Sequence, residues 1–208
     1  MALSPFLSII ILILLLTGEG EVFFLQNRVG FRGRDFRLIK FATMLKDSPN
    51  IATGTVTVHN DPRVLPFGRW IRKTKLNEVP QLINILLGQM SFIGPRPQTR
   101  RCFDAFPESV KNTIVNVRPG LSGIGSIIFR NEEKLMINLE KSAEFYDYVI
   151  MPYKGSLEKW YVKKQSLRMY FLLFFLTGLA VIFSIKKLPW KIFSDLPLPP
   201  KQLALLAE

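Results

Sequence analysis

Lys73-Thr74-Lys75-Leu76-Asn77-Glu78-Val79-Pro80-Gln81-Leu82-Ile83-Asn84, followed by Gly94-Pro95-Arg96-Pro97, is the stretch on which the reading of this chain turns. Leu82, Ile83, Leu86 and Leu87 recur at helical spacing, which predicts a helix over residues 76–87. Thr74, Asn77 and Glu78 then belong to its first turn, and Pro80 fits an opening turn but would break a helix interior. The positive end of such a helix suits a phosphate. Pro95 and Pro97 restrict the backbone around Arg96, a guanidinium suited to bidentate phosphate binding. A purely structural role stays open, because Asn77 is a good N-cap and Glu78 complements the helix dipole.

Working outward, the composition narrows the class. The 208 residues suit one domain with membrane attachments. A hydrophobic content of 48% and a mean hydropathy of +0.20 exceed what a soluble basic protein needs. The net charge of +12 calls for an anionic partner: nucleic acid, anionic lipid or a nucleotide sugar. The apolar segments favour the membrane, and no nucleic-acid-binding motif appears, so nucleic acid is not an expected partner. Cys102 is the single cysteine, which excludes an intrachain disulfide and a thiolate metal cluster; it reads as a small buried side chain. His59 is also alone, which argues against a histidine metal site or triad.

On the N-terminal side, residues 1–17 are almost wholly apolar, with Ser4-Pro5 near the start. As a helix, residues 6–17 would be about 18 Å long, too short to cross a hydrocarbon core of about 30 Å upright. No basic segment precedes them and Thr17-Gly18-Glu19-Gly20 is a poor cleavage site, which argues against a signal peptide. Residues 21–44 read as a hairpin turning at Gly30 and Gly33. Residues 47–59 read as a polar, mobile loop. In Phe67-Gly68-Arg69-Trp70-Ile71-Arg72-Lys73, apolar and basic residues fall on different helix faces, as in a membrane-surface helix.

On the C-terminal side, residues 100–115 are polar and helical in pattern. The run Val117-Arg118-Pro119-Gly120-Leu121-Ser122-Gly123-Ile124-Gly125-Ser126 suits a turn with close backbone approach, and its amides could cradle an anion. It lacks the Gly-Lys-Ser ending of a nucleotide P-loop. Arg118 and Arg130 are candidate phosphate contacts. Tyr153, Lys154, Glu158, Trp160 and Tyr161 suit the lipid headgroup zone. Residues 170–183 carry no charge and read as a shallow interfacial helix, a tilted span being the alternative. Lys163, Lys164 and Arg168 on one side, and Lys186, Lys187 and Lys191 on the other, place both ends at the cytoplasmic face. The Pro-rich tail over residues 189–208 is expected to be extended or disordered.

The opening stretch resembles the core motif of the bacterial sugar transferases known as monotopic phosphoglycosyl transferases. That family shows Lys-Thr-Ser-Leu-Asp-Glu-Leu-Pro-Gln and then Gly-Pro-Arg-Pro. Gln26, Arg28 and Gly30 resemble its Gln-x-Arg-x-Gly. Lys40-Phe41-Ala42-Thr43-Met44 resembles its Lys-Phe-Arg-Thr-Met, with Ala42 where an arginine is usual. Pro119-Gly120-Leu121-Ser122-Gly123 resembles a Pro-Gly-(Ile/Leu)-Thr-Gly segment, and residues 127–133 an extension seen in one branch. In the family a Ser-Pro pair breaks a membrane helix midway. Only three residues precede Ser4 here, so the first arm is essentially absent: the start is truncated or mis-assigned, or the protein attaches differently.

The resemblance implies an α/β protein, a small mixed domain on the membrane surface with an N-terminal apolar, re-entrant-type membrane helix and interfacial amphipathic helices. It divides into a membrane-associated segment (1–20), a catalytic-type domain (21–165), an apolar interface helix (166–188) and a tail (189–208). The implied activity is transfer of a sugar 1-phosphate from a nucleotide-diphosphate sugar, a UDP-sugar by expectation, to a polyprenyl phosphate. It would start polysaccharide assembly at the cytoplasmic face of a bacterial inner membrane. Membrane lipids are further partners, and homodimerisation is left open. In family chemistry the Asp of the Asp-Glu pair attacks the β-phosphoryl group, assisted by the Glu and Mg²⁺. Carried onto this sequence, Asn77 takes the nucleophile position, Glu78 is the essential carboxylate, and both are the expected Mg²⁺ ligands. Arg96 is expected on the phosphate, with Lys40, Arg72, Lys73, Gln81 and Arg118 as further substrate contacts.

Asn77 is the departure that matters. An amide is a poor nucleophile at phosphorus and a weaker Mg²⁺ ligand than a carboxylate. Four readings remain open: a trapped inactive form, a branch in which Glu78 supplies the nucleophile, direct transfer with Glu78 positioning metal or base, or an impaired membrane-surface module that still binds lipid phosphate or nucleotide sugar.

Overall fold

The computed structural model describes residues 4–51, 57, 60–130, 132–135, 142–183, 185 and 187–206. His59, Lys186 and most of the polar loop before Asn60 lie outside the described residues. Helix α1 (Ser4–Leu16) is apolar apart from Ser4 and Ser8, and its 13 residues give a length of about 20 Å. Its buried face, Ile10 and Leu14, packs with Phe41 and Ile71 in a small core of its own. Ile9, Leu12, Leu15 and Leu16 remain exposed. No described helix is long and apolar enough to cross a membrane.

The hairpin forms as expected. Strands β1 (Phe23–Val29) and β2 (Asp35–Phe41) pair antiparallel, with Phe24 opposite Lys40 and Arg28 opposite Phe36. Side chains alternate across a strand, so Phe24, Gln26, Arg28 and Lys40 share one face. Helix α2 (Pro66–Lys73) begins at a proline and crosses the end of β2. The crossing needs Gly68: a Cβ there would sit 2.2 Å from the Thr43 carbonyl oxygen.

The single helix expected over residues 76–87 is two pieces. A 3₁₀ turn (Leu76–Glu78) precedes α3 (Gln81–Leu86), with Val79 and Pro80 as the joint. Pro80 lacks the N–H that a continuous helix would need. Asn84, fully buried, fastens α3 to the free edge of β2: its Oδ1 accepts from the Ile39 N–H at 3.0 Å and its Nδ2 donates to the Arg37 carbonyl at 2.8 Å. The side chain thus stands in for a third strand and caps an exposed edge.

Strand β3 (Ser91–Ile93) is followed by α4 (Arg100–Asp104) and α5 (Glu108–Ile114). The expected helix over 100–115 is therefore interrupted before Pro107. Strand β4 (Gly120–Ser122) pairs parallel to β3. Helix α6 (Ile124–Ile128), a short α7 (Ser142–Phe145), α8 (Met151–Lys164), α9 (Leu167–Ile182) and α10 (Leu188–Ile192) follow, and a 3₁₀ segment (Lys201–Leu206) lies in the tail. The mixed α/β class is borne out.

Two expectations are overturned. Tyr153, Lys154, Glu158, Trp160 and Tyr161 are buried rather than placed at a headgroup zone, because α8 runs through the main core against α5 and α6. The tail is also folded. Phe193, Leu196 and Leu203 join that core, and the Trp160 Nε1–H donates to Asp195 Oδ2. The Tyr153 hydroxyl and the Trp190 Nε1–H both donate to the Pro197 carbonyl. The prolines stiffen an apolar strap whose leucines and aromatics have a groove to fill.

Candidate active site

Arg96 and Glu78 meet on the wall of a cavity of about 470 Å³, although the two belong to different elements. Arg96 Nη2 donates to Glu78 Oε1 at 2.6 Å, and Nη1 lies 3.5 Å from Oε2. Glu78 is delivered by a sharp break after α2. Lys75 adopts φ +62°, a left-handed conformation rare for a side-chain-bearing residue, and turns the chain so that Leu76–Glu78 coil over the cavity. Such a residue costs on the order of 1 kcal/mol, and it puts Lys75 itself on the lining.

Arg96 is held by its backbone. The Pro97 carbonyl accepts from Arg28 Nη1 at 3.0 Å, the Pro95 carbonyl from the Gly120 N–H at 2.8 Å, and Glu158 Oε1 from the Arg96 N–H at 3.3 Å. The glycine run is what allows this approach. A Cβ on Gly120 would meet the Gly94 nitrogen at 2.1 Å, and one on Gly123 the Gly94 oxygen at 2.3 Å. Of the two uses read from that run, close packing is the one realised at Gly120, whose amide is consumed by Pro95.

The lining is strongly cationic. Arg28, Lys40, Arg72, Lys75, Arg96 and Arg130 border it, against Glu78, Glu132 and Glu158. Lys154 Nζ is committed to Glu132, 2.6 Å from each oxygen, and lies over the Phe129 and Tyr146 rings. Burial lowers Arg28 to about 10, helped by the Arg96 charge. Burial, then the Arg28 charge, carries Lys40 well below the ordinary lysine range. Burial alone would raise Glu78, but the Arg96 and Lys40 charges outweigh it and hold the carboxylate at about 2. In return Glu78 raises Arg96. Burial pushes Glu158 the other way, up to about 7, against the Arg96 N–H and the Lys154 charge.

Among the residues singled out from sequence, Asn77, Glu78, Arg96, Lys40 and Arg72 line the cavity together. Arg72 Nη2 donates to Thr57 Oγ1. Lys73 and Arg118 are exposed and lie off the lining, and Gln81 is buried and also off it. Asn77 is buried with its Oδ1 unpartnered among the described residues. Ala42, where the family carries arginine, is buried and does not line the cavity. Sequence reading missed Lys75, Ser126 and Glu158 as site residues. The signal at Lys75 was its place two residues before Asn77; Glu158 offered none, because only the packing of α8 brings it there.

Comparison with known proteins gives a consistent set. A family model described as bacterial sugar transferase matches residues 1–184. An undecaprenyl-phosphate glucose phosphotransferase of Komagataeibacter xylinus is 39% identical over 132 residues, covering 61% of this chain and 25% of that protein. A UDP-N-acetylgalactosamine-undecaprenyl-phosphate N-acetylgalactosaminephosphotransferase of Aeromonas hydrophila is 39% identical over 127 residues, covering 60% of this chain and 30% of that protein. A UDP-glucose:undecaprenyl-phosphate glucose-1-phosphate transferase of Escherichia coli K12 is 36% identical over 146 residues, covering 69% of this chain and 31% of that protein. The chain thus spans between a quarter and a third of the length of these relatives.

Proposed function

The chain belongs to the bacterial sugar transferase family, and from that premise we propose that it transfers a sugar 1-phosphate from a UDP-sugar to a polyprenyl phosphate, the first step of a surface polysaccharide. The observation that carries this reading is a single cavity with two kinds of wall. One side is the cluster of Arg28, Lys40, Arg72, Lys75 and Arg96 around Glu78; the other includes Thr177 and Val181 of the apolar helix α9. A pyrophosphate suits the first side and a lipid phosphate with its hydrocarbon tail suits both.

In the net reaction a phosphate oxygen of the lipid bonds to the β-phosphorus of the UDP-sugar. The bond from that phosphorus to the bridging oxygen breaks, and UMP leaves. Arg96 positions the β-phosphate, and Glu78, ionised throughout the physiological range, holds the guanidinium in place. Asn77 Oδ1 and the Glu78 carboxylate are oxygen donors of the type a hard cation takes, and they would hold one Mg²⁺. When bound, that ion would offset pyrophosphate charge. Among the described residues no group of three or more His, Cys, Asp or Glu converges.

The domain rests on the cytoplasmic face of the inner membrane. Leu12 and Leu16 of α1, Leu86 of α3 and Phe171, Phe175 and Ile182 of α9 are exposed apolar side chains of the kind a lipid interface covers.

The test is UMP release in vesicles containing undecaprenyl phosphate, with Mg²⁺ and a panel of UDP-sugars, run on the protein and on Asn77→Asp. Release by the parent protein establishes the transferase. The neutral Asn77 favours a second reading, binding without turnover; release by Asn77→Asp alone would select it. Silence from both would reject the transfer reading.

A further inference from the structure

Besides Asn77 Oδ1, two polar atoms of residues lining the cavity have no partner among the described residues. Glu158 is only 3% exposed, its Oε1 is taken by the Arg96 N–H, and its Oε2 has no partner among the described residues. Ser126 Oγ, on the facing helix α6, is likewise buried and without a partner among the described residues. Both residues line the cavity. Helix α6 packs against α8 here: a Cβ on Gly125, the residue before Ser126, would sit 2.4 Å from Glu158 Oε1. The nearby cation on α8, Lys154, is spent on Glu132. Buried polar groups in native proteins are almost always satisfied, so an orphan carboxylate oxygen and an orphan hydroxyl on one cavity lining are open to a ligand's hydrogen bonds. A lone carboxylate oxygen accepts and a serine hydroxyl both donates and accepts. Together they match neutral hydroxyl groups, which can donate to the carboxyl when it is ionised and accept from it when it is protonated.

We propose that Glu158 Oε2 and Ser126 Oγ form the subsite for hydroxyl groups of the transferred sugar. This rests on the nucleotide-sugar reading of the cavity and adds to it the place of the sugar. The position is chemically apt. The sugar is joined to the β-phosphate, and Glu158 is bonded to the backbone of Arg96, the residue whose guanidinium faces that phosphate. Glu158 therefore holds the phosphate-binding turn with one oxygen and reads the sugar with the other.

The test measures binding of UDP alone and of UDP-glucose, UDP-galactose, UDP-N-acetylglucosamine and UDP-N-acetylgalactosamine to the full chain, to Glu158→Gln and to Ser126→Ala. Gln keeps the oxygen that accepts from Arg96 and loses the charge. The expected result is that at least one UDP-sugar binds the parent more tightly than UDP does. At pH 8, where Glu158 is largely ionised, Glu158→Gln then weakens that sugar about tenfold or more, as expected for losing a hydrogen bond to a charged group, and Ser126→Ala weakens it several-fold. Affinity for UDP stays within twofold in both. Equal losses for UDP and UDP-sugar would assign Glu158 to the turn alone and overturn the proposal. So would a parent protein that binds every UDP-sugar no more tightly than UDP, which leaves the two atoms to bound water. Failure to bind UDP at all would instead reject the nucleotide-sugar reading on which the subsite rests. Should Glu158→Gln fail to fold, Ser126→Ala decides the matter alone, since removing one hydroxyl oxygen leaves the turn untouched.

Discussion

Two arginine–carboxylate pairs in this molecule have the same bond and opposite uses. Arg63 and Asp61 are joined at 2.6 Å with side chains 2% and 1% exposed, and the remaining Arg63 donors reach the Ser48 and Ile51 carbonyls. Arg96 and Glu78 are also joined at 2.6 Å, with side chains 31% and 16% exposed on a cavity wall. The first pair is closed. Its bonds tie Ser48 and Ile51 to the segment that leads into α2. The second keeps a free face toward a cavity crowded with like charge, where an anion improves the balance. A fully satisfied ion pair builds a fold; one held by its backbone and left open toward solvent builds a site.

That contrast can be broken at either end. The largest effect is expected at the open pair: Arg96→Ala should lower UMP release about a thousandfold, with a thermal midpoint close to the parent's. A drop in activity matched by loss of folded protein would remove the distinction. At the closed pair, Arg63→Ala leaves Asp61 charged and buried, and should cost about 3–5 kcal/mol of stability, read from urea unfolding. A cost under 1 kcal/mol would mean that the pair is not structural.

Glu158 supplies the next test, and its sign follows from burial. Its carboxyl titrates at about 7 in the folded protein, above the unfolded value, so the fold binds the proton more tightly. The stability this contributes is full below about pH 4.5 and is lost as pH rises through about 7. Glu158→Gln, which never charges, should therefore gain on the parent between pH 5 and pH 8, by roughly 2–3 kcal/mol at most. Melting curves at the two pH values check it, and an equal offset at both would show that Glu158 is ionised throughout. The smallest effect is expected at a third pair, Arg100 with Asp35, each 52% exposed. Asp35→Asn should change stability by no more than about 0.5 kcal/mol, and less in high salt.

The motif from Lys73 to Pro97 made Glu78 and Arg96 legible as site candidates before any coordinates, since prolines on both sides of an arginine and a carboxylate at a turn are local facts; that the two pair with each other was not read. The hairpin was legible too, through β-prone runs separated by glycines. Period-2 alternation then explains why Gln26, Arg28 and Lys40 share the face that lines the cavity. The break between Leu76–Glu78 and α3 was not read, because the apolar spacing runs through it while Lys75 takes a backbone conformation that composition does not announce. The tail and α8 were misread for one reason. Aromatics, lysines and prolines describe an interface as well as a core strap, and only the groove they fill tells the two apart.

By itself, then, the sequence determined the mixed α/β class, the pairing of β1 with β2, and the charged residues of the central motif. Each depends on neighbours within a few positions or on alternation along one element. The tertiary structure alone decided that the backbone from Pro95 to Pro97 is fastened by Arg28, Gly120 and Glu158, that Lys75 rather than Lys73 reaches the cavity, and that Arg118 does not. Those outcomes depend on which remote surfaces meet, and close packing between elements has no local signature in the chain.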